Sequence, residues 1–147
     1  MHIMNKEKEF DLYKTFPSIL KCKIDNKEIE LPLGTNFNYE PILAFRLVIR
    51  DIDDYSPIEK RDMLSYFEMN KKPRGEFDIN DPEYYSVSFF KNKECLKESF
   101  KLPKPKKKIV KGYVHQEGGP EYTKNNHISW WLCADIGFDD FSFLKDD

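Results

Sequence analysis

The sequence predicts an α+β domain, with an antiparallel sheet of about five or six strands and two or three helices packed on one face. Two observations lead to this class. Several short runs of alternating apolar and polar residues follow one another between turn residues, which favours hairpins over parallel crossovers. One longer segment has apolar residues at helical spacing behind a helix-start signal.

The size of the chain fits one domain. Its 147 residues are predicted to form a single globular unit, 1–147, that buries roughly two-thirds of the surface of the unfolded chain. Aromatic residues make up 15% of the sequence, so we expect a core of large rings with Ile and Leu between them.

The N-terminal part is predicted to contain a hairpin. Residues 6–16 have helix-like apolar spacing, which Pro17 would end. In residues 18–33, two stretches of alternating apolar and charged residues flank a short polar turn at Asp25. This pattern predicts two antiparallel strands with one wet face.

Two helices are predicted in the middle of the chain. The apolar run 42–52 fits either a buried strand or the start of a helix, and its Leu, Ala and Arg content favours a helix. A second helix is predicted over residues 56–70. Ser56 is a suitable N-cap, Pro57 suits the first helical position, and Glu59 completes a capping box.

Four further strands are predicted in the second half of the chain from apolar and aromatic runs between turn residues. They are residues 84–91, 95–102, 109–116 and 127–133. The last strand, HISWWLC, is predicted to pair with 109–116 across a loop. The phenylalanines of the tail that follows are expected to pack back on the domain.

The charge balance argues against a nucleic-acid partner. The chain has 24 basic and 26 acidic residues and a net charge of −2, unlike a basic nucleic-acid binder. Residues 101–111 hold six lysines and no acid, enough for phosphate contacts but poor for reading bases. We therefore do not expect nucleic acid to be the partner.

The cysteines and the apolar runs favour a cytoplasmic protein. Cys22, Cys95 and Cys133 form no C-x-x-C pair, so free buried thiols in a reducing compartment are expected. Cys133 also lies about 20 Å along an extended strand from His127, too far for both to bind one ion. We expect no signal peptide and no membrane span.

One interpretation of the sequence is a small metal-dependent hydrolase or nuclease. Clustered carboxylates at Asp51, Asp53 and Asp54 can hold a hard cation that activates water. His115 or His127 would complete such a site. However, an acidic loop before a helix is also what the helix dipole favours. No enzyme motif is present, so the sequence favours a non-catalytic protein without a metal or other cofactor.

The leading hypothesis is a protein-binding module. Trp130 and Trp131 are adjacent in a predicted strand and must point to opposite faces. Trp130 is expected in the core, while Trp131 is either a second buried layer or an exposed anchor for a partner. Residues 134–147 carry five aspartates and one lysine, a charge that suits a basic partner.

The most specific form of this hypothesis is a small cytoplasmic immunity or inhibitor protein of bacterial type, an antitoxin. It would neutralise a basic toxin domain by tight binding, without catalytic machinery. The predicted partner-binding residues are Trp131, Asp135, Asp139, Asp140, Asp146 and Asp147.

Overall fold

The structure, a computed structural model, describes residues 24–69, 81–101, 105–132 and 136–144. The strands in these ranges are β1 Ile42–Ile49, β2 Val87–Phe90, β3 Lys107–Val114, β4 Glu121–Lys124, β5 His127–Trp130 and β6 Ser142–Phe143. They form one antiparallel sheet in the order β4–β5–β2–β1–β3–β6. The other elements are an α-helix, α1 Lys93–Phe100, and two 3-10 turns, Lys60–Asp62 and Pro82–Tyr85.

The predicted fold class is wrong in its helices. An antiparallel sheet of six strands is present, but within the described residues α1 is the one helix of seven residues or more. The molecule is therefore mostly sheet, rather than a sheet with two or three helices packed on one face. Within the described residues, none of the helical segments has the length and the apolar composition of a membrane span.

The run 42–52, predicted as a helix, forms β1 instead. This strand pairs with β3 along its whole length, from Ile42 opposite Val114 to Ile49 opposite Lys107. Its side chains alternate between the two faces of the sheet, so Ala44 is buried while Ile49 is exposed. The apolar run is compatible with a helix or a strand, and the backbone hydrogen bonds to β3 stabilise the strand.

The helix predicted over 56–70 is absent from the described part of that segment, where only the turn Lys60–Asp62 is regular. The cause is Arg50, at the end of β1. Its guanidinium donates to the carbonyl of Ser56 at 2.9 Å and to that of Pro57 at 3.0 Å. A helix would use both carbonyls for the N–H groups four residues later.

Arg46 acts in the same way further along the segment. Its Nε donates to the carbonyl of Asp62 at 2.9 Å, and its Nη2 donates to that of Leu64 at 3.2 Å. These bonds come from a charged group and are stronger than the neutral amide bonds of a helix. The segment therefore crosses one face of the sheet as irregular chain, with Met63 fully buried.

The run 95–102, predicted as a strand, belongs mostly to α1. Asn92 caps this helix, because its Oδ1 accepts hydrogen bonds from the N–H groups of Glu94 at 2.7 Å and Cys95 at 3.4 Å. The helix ends at Lys101, which has a left-handed backbone with φ of 52°. Leu96 is buried beneath the helix.

The pairing predicted for HISWWLC is also wrong. β5 pairs with β2 on one side and with β4 on the other, whereas β3 pairs with β1 and β6. β4 lies in the stretch predicted as a loop, so the hairpin is Glu121–Lys124 with His127–Trp130. The hairpin predicted at 18–33 lies partly outside the described residues, and residues 24–33 contain no strand.

The main core covers one face of the sheet. It is formed by apolar side chains of β1, β2, β3 and β5 together with the tail. Phe138 and Phe141 are buried there, and Phe143 packs against this core, as predicted. Gly112 in β3 lies directly under Phe141, where any side chain would collide with the ring. The tail therefore closes the core.

Candidate functional site

The acidic segment proposed as a metal site lies just after β1, and its carboxylates do not converge. Asp51 and Asp53 are exposed. Asp54 accepts hydrogen bonds from the Oγ and N–H of Ser56, at 2.7 and 3.1 Å, and pairs with Arg50 at 3.1 Å. The bonds from Ser56 contribute most to lowering the pKa of Asp54 to about 2. Asp54 is therefore part of a structural turn.

Arg50 and Asp62 form the centre of this turn. Both side chains are buried. Burial acts to raise the pKa of Asp62, but the hydrogen bonds from Arg50 and from the N–H of Glu59 outweigh it and lower the pKa. In turn, the hydrogen bond to Asp62 raises the pKa of Arg50. The pair stays ionised and ties the 51–62 segment to the sheet.

The two histidines of the hydrolase interpretation lie apart. His115 follows β3, where its ring meets that of Trp130 with centroids 5.5 Å apart and its Nδ1 lies 3.2 Å from Glu117. His127 is three positions before Trp130 in β5, so it points to the opposite face of the sheet. Among the described residues, no three His, Cys, Asp or Glu side chains are grouped to hold a metal ion.

His127 is instead hydrogen-bonded to a serine. Its Nε2 contacts the Oγ of Ser88 across the β2–β5 pair, and its ring packs edge-on against Phe90. Burial lowers the pKa of His127, which favours a neutral ring. A nucleophilic serine also needs a group that orients the imidazole and donors for an oxyanion. Neither accompanies this pair within the described residues, so it carries no catalytic assignment.

Trp131, the predicted aromatic anchor, is buried with a relative exposure of 0%. Its indole Nε1 donates to the carbonyl of Pro82 at 2.9 Å. It packs in a second, smaller core with Ile29, Tyr84 and Tyr85. The sequence left open whether Trp131 is buried or exposed. In the structure its side chain is covered, so the ring is not accessible to a partner. Cys133 and Asp135, just beyond it, lie outside the described residues, as do Asp146 and Asp147.

Asp139 and Asp140 are exposed, and they lie at the end of the sheet where β1 begins and β3 ends. The Oδ2 of Asp140 accepts a hydrogen bond from the N–H of Tyr113 at 3.3 Å. Tyr113 stands opposite Leu43 in the β1–β3 pair, and each of these two side chains is 45% exposed. An aromatic and an aliphatic side chain thus lie beside the two aspartates.

Two glutamates lie at the same end of the sheet, next to the start of β1 and the end of β3. Glu40 and Glu117 are exposed and line one depression at the same end of the sheet. We call this surface the acidic end. It comprises Glu40, Leu43, Tyr113, Glu117, Asp139 and Asp140.

Two lysines of the run 101–111 lie against the segment that follows β1. Lys108 donates to the carbonyls of Asp51 at 2.7 Å and Asp54 at 2.9 Å, and its Nζ lies 3.6 Å from the centroid of the Tyr55 ring. Lys106 lines an open depression together with acidic residues of the 51–54 segment. Lys108 is therefore held by two backbone carbonyls and the Tyr55 ring.

Comparisons of the chain with protein-family models, with curated proteins and with solved structures find no match in any of the three.

The sequence interpretation missed two arginines, Arg46 in β1 and Arg50 directly after it. A signal was available, because Arg46 and Arg50 interrupt an apolar run and share one face of a strand, being an even number of positions apart. Charged side chains on a core face require partners. Their partners are carbonyls and carboxylates of the segment 54–64 together with the carbonyl of Ser88.

Proposed function

We propose that this protein is a protein-binding module whose binding surface is the acidic end. The observation that carries the proposal is the combination of half-exposed Leu43 and Tyr113 with four exposed carboxylates at one end of the sheet. Tyrosine is enriched among the residues that dominate binding energy, and a charged rim around an apolar centre is typical of protein interfaces.

The charge of this surface favours a basic partner. Glu40, Glu117, Asp139 and Asp140 carry four negative charges, and acidic groups of this kind accelerate encounter with a positively charged protein. In its more specific form, the proposal is an immunity or inhibitor protein of the cytoplasm that neutralises a basic toxin domain. This role requires complementary shape and charge.

The test is affinity capture with matched variants. The surface variant carries Glu117→Lys and Asp139→Lys, which reverse two charges of the acidic end without touching the hydrogen bond of Asp140. The control carries Asp51→Lys and Asp53→Lys, which reverse the charges of two exposed aspartates outside the acidic end. We expect one basic protein to be captured by the wild type and the control and to be lost from the surface variant. Equal capture by all three proteins would reject the acidic end as the binding surface.

The inhibitor role has a separate readout. Expression of the captured protein alone should arrest growth of a host cell, and co-expression of the wild type, but not of the surface variant, should restore it. A partner that has no effect on growth would leave a binding module and reject the inhibitor role.

A further inference from the structure

A cleft opens at the end of β1 remote from the acidic end, because β1 and β2 separate there. The two strands share a single residue pair, Phe45 opposite Phe90, whereas β1 and β3 share eight pairs. Beyond Phe45 the strands diverge, and the gap between them is a cleft of about 310 Å³. This volume lies at the small end of the range for small-molecule sites.

The walls of the cleft are largely apolar. Leu47 comes from β1, Tyr66 and Met69 come from the segment that crosses the sheet, and Leu96 and Phe100 come from α1. Tyr66 and Phe100 are 39% and 38% exposed. Two aromatic rings at a concave surface, with aliphatic side chains between them, are suited to the apolar body of a small molecule.

A guanidinium lies at the cleft among these apolar groups. Arg46 bridges the gap, because its Nη1 donates to the carbonyl of Ser88 at 2.8 Å while its other two nitrogens bind the carbonyls of Asp62 and Leu64. These acceptors are neutral. A guanidinium has five N–H donors, so one N–H on each terminal nitrogen lacks a partner among the described residues.

The charge of Arg46 is poorly balanced by its neighbours. Asp62 uses both carboxylate oxygens on Arg50, and Glu68 is paired with Lys60 at 3.2 Å. Burial lowers the pKa of Arg46 to about 10, although Tyr66, Asp62 and Glu68 favour its charged form. A cation that remains charged without a carboxylate at ion-pair distance, within the described residues, is costly unless another anion approaches.

Three of the four charged residues that line the cleft are basic. Lys107 and Arg61 line it together with Arg46, and Asp62 is the acidic residue of that lining. We propose that this cleft binds a small organic acid, with its carboxylate on the free N–H groups of Arg46 and its apolar body between Tyr66 and Phe100. This site is independent of the proposed protein-binding function and lies at the opposite end of β1.

The first test compares an acid with its neutral counterpart. The full chain is titrated with 3-phenylpropionate and with 3-phenylpropanamide while amide chemical shifts are recorded. We expect saturable shifts confined to the cleft with the acid, and binding at least tenfold weaker with the amide. Equal binding of the two probes, or no saturable shift with the acid at millimolar concentration, would overturn the proposal.

Matched variants then separate the cleft from the rest of the surface. Phe100→Ala removes one aromatic wall, whereas Tyr113→Ala removes a similarly exposed ring outside the cleft. We expect about tenfold weaker binding of the acid to Phe100→Ala and unchanged binding to Tyr113→Ala. Arg46→Lys retains the charge and Arg46→Gln removes it, so the preference for the acid should be lost from the second. If Arg46→Gln does not fold, the test is the comparison of Phe100→Ala with Tyr113→Ala. Equal affinities of these two variants for the acid would reject the site.

Discussion

Arg50 and Asp62 are joined by two parallel hydrogen bonds, from Nε to Oδ1 at 2.9 Å and from Nη2 to Oδ2 at 2.7 Å. Both side chains are buried. The pair joins the end of β1 to a turn 12 positions further along the chain. The segment after β1 makes this connection to the sheet where the sequence predicted a local helix. The connection therefore positions residues 51–69 over the core.

The first prediction concerns this ion pair. Arg50→Met leaves the Asp62 carboxylate buried without its partner and should destabilise the protein by about 3–5 kcal/mol, as when one member of a buried pair is removed. Urea denaturation monitored by tryptophan fluorescence measures the change. The double variant Arg50→Met with Asp62→Leu removes both charges and should be more stable than Arg50→Met alone.

The control for that experiment is Arg61→Met. Arg61 is exposed and pairs with Glu59 at 3.2 Å and with Asp54 at 3.5 Å, and exposed ion pairs contribute at most about 1 kcal/mol each. A loss on Arg50→Met no larger than that on Arg61→Met would show that the buried pair does not hold the segment.

Three strands could be predicted from the sequence, whereas β1, β4, the pairing of the strands and the irregular course of residues 56–69 could not. Alternating patterns are local, so the strands in 84–91, 109–116 and 127–133 were identified from their own residues. By contrast, the carbonyls of Ser56, Pro57, Asp62 and Leu64 are occupied by arginines of another element. The capping box that begins at residue 56 does not reveal that distant arginines bind the carbonyls that a helix would use.

The second prediction concerns the contact between Gly112 and Phe141. A Cβ on Gly112 would overlap the Phe141 ring, and overpacking of this kind costs about 1–3 kcal/mol. Gly112→Ala should therefore lower the free energy of unfolding by that amount. Gly137→Ala is the matched control, because a Cβ there meets no atom within 4 Å. Similar stabilities of the two variants would contradict the close packing of the tail on β3.

The third prediction concerns Trp131. Trp131→Phe retains a ring in the second core but leaves the carbonyl of Pro82 without its donor, which should cost about 1–3 kcal/mol. Trp131→Ala should cost about 3–5 kcal/mol, since a large buried side chain is lost. Urea denaturation monitored by far-ultraviolet circular dichroism measures both. Leu33→Ala, at a position that is 98% exposed, should change stability by less than about 0.5 kcal/mol. A Trp131→Ala variant as stable as Leu33→Ala would mean that the ring is not buried.

Trp131 also illustrates the limit of prediction for the candidate site. The alternation of a strand placed Trp130 and Trp131 on opposite faces, but which face is covered depends on distant residues, here Ile29, Tyr84 and Tyr85. The acidic end likewise depends on residues that are distant in the sequence. Asp139 and Asp140 were named from composition, whereas Leu43 and Glu40 come from a part of the chain about 100 positions away and join them only through the β1–β3 pairing.

The last prediction concerns the pH dependence that His127 gives to stability. Burial lowers its pKa in the folded protein below the ordinary value of 6.5, so between these two pKa values the unfolded chain binds more protons than the folded one. The contribution of neutral His127 to the free energy of unfolding should therefore be fully present above pH 6.5. It should be lost progressively as the pH falls through the lower, folded pKa. Urea denaturation at several pH values between 7.5 and 5 measures this loss.

The variant His127→Gln removes the titrating group and keeps a side chain that can hydrogen-bond to Ser88, so its stability should vary less over the same range. Leu33→Ala, which changes no titrating group at a position that is 98% exposed, is the control and should retain the pH dependence of the wild type. A His127→Gln variant with the pH dependence of the wild type would contradict the prediction, since the proton uptake would then belong to another group.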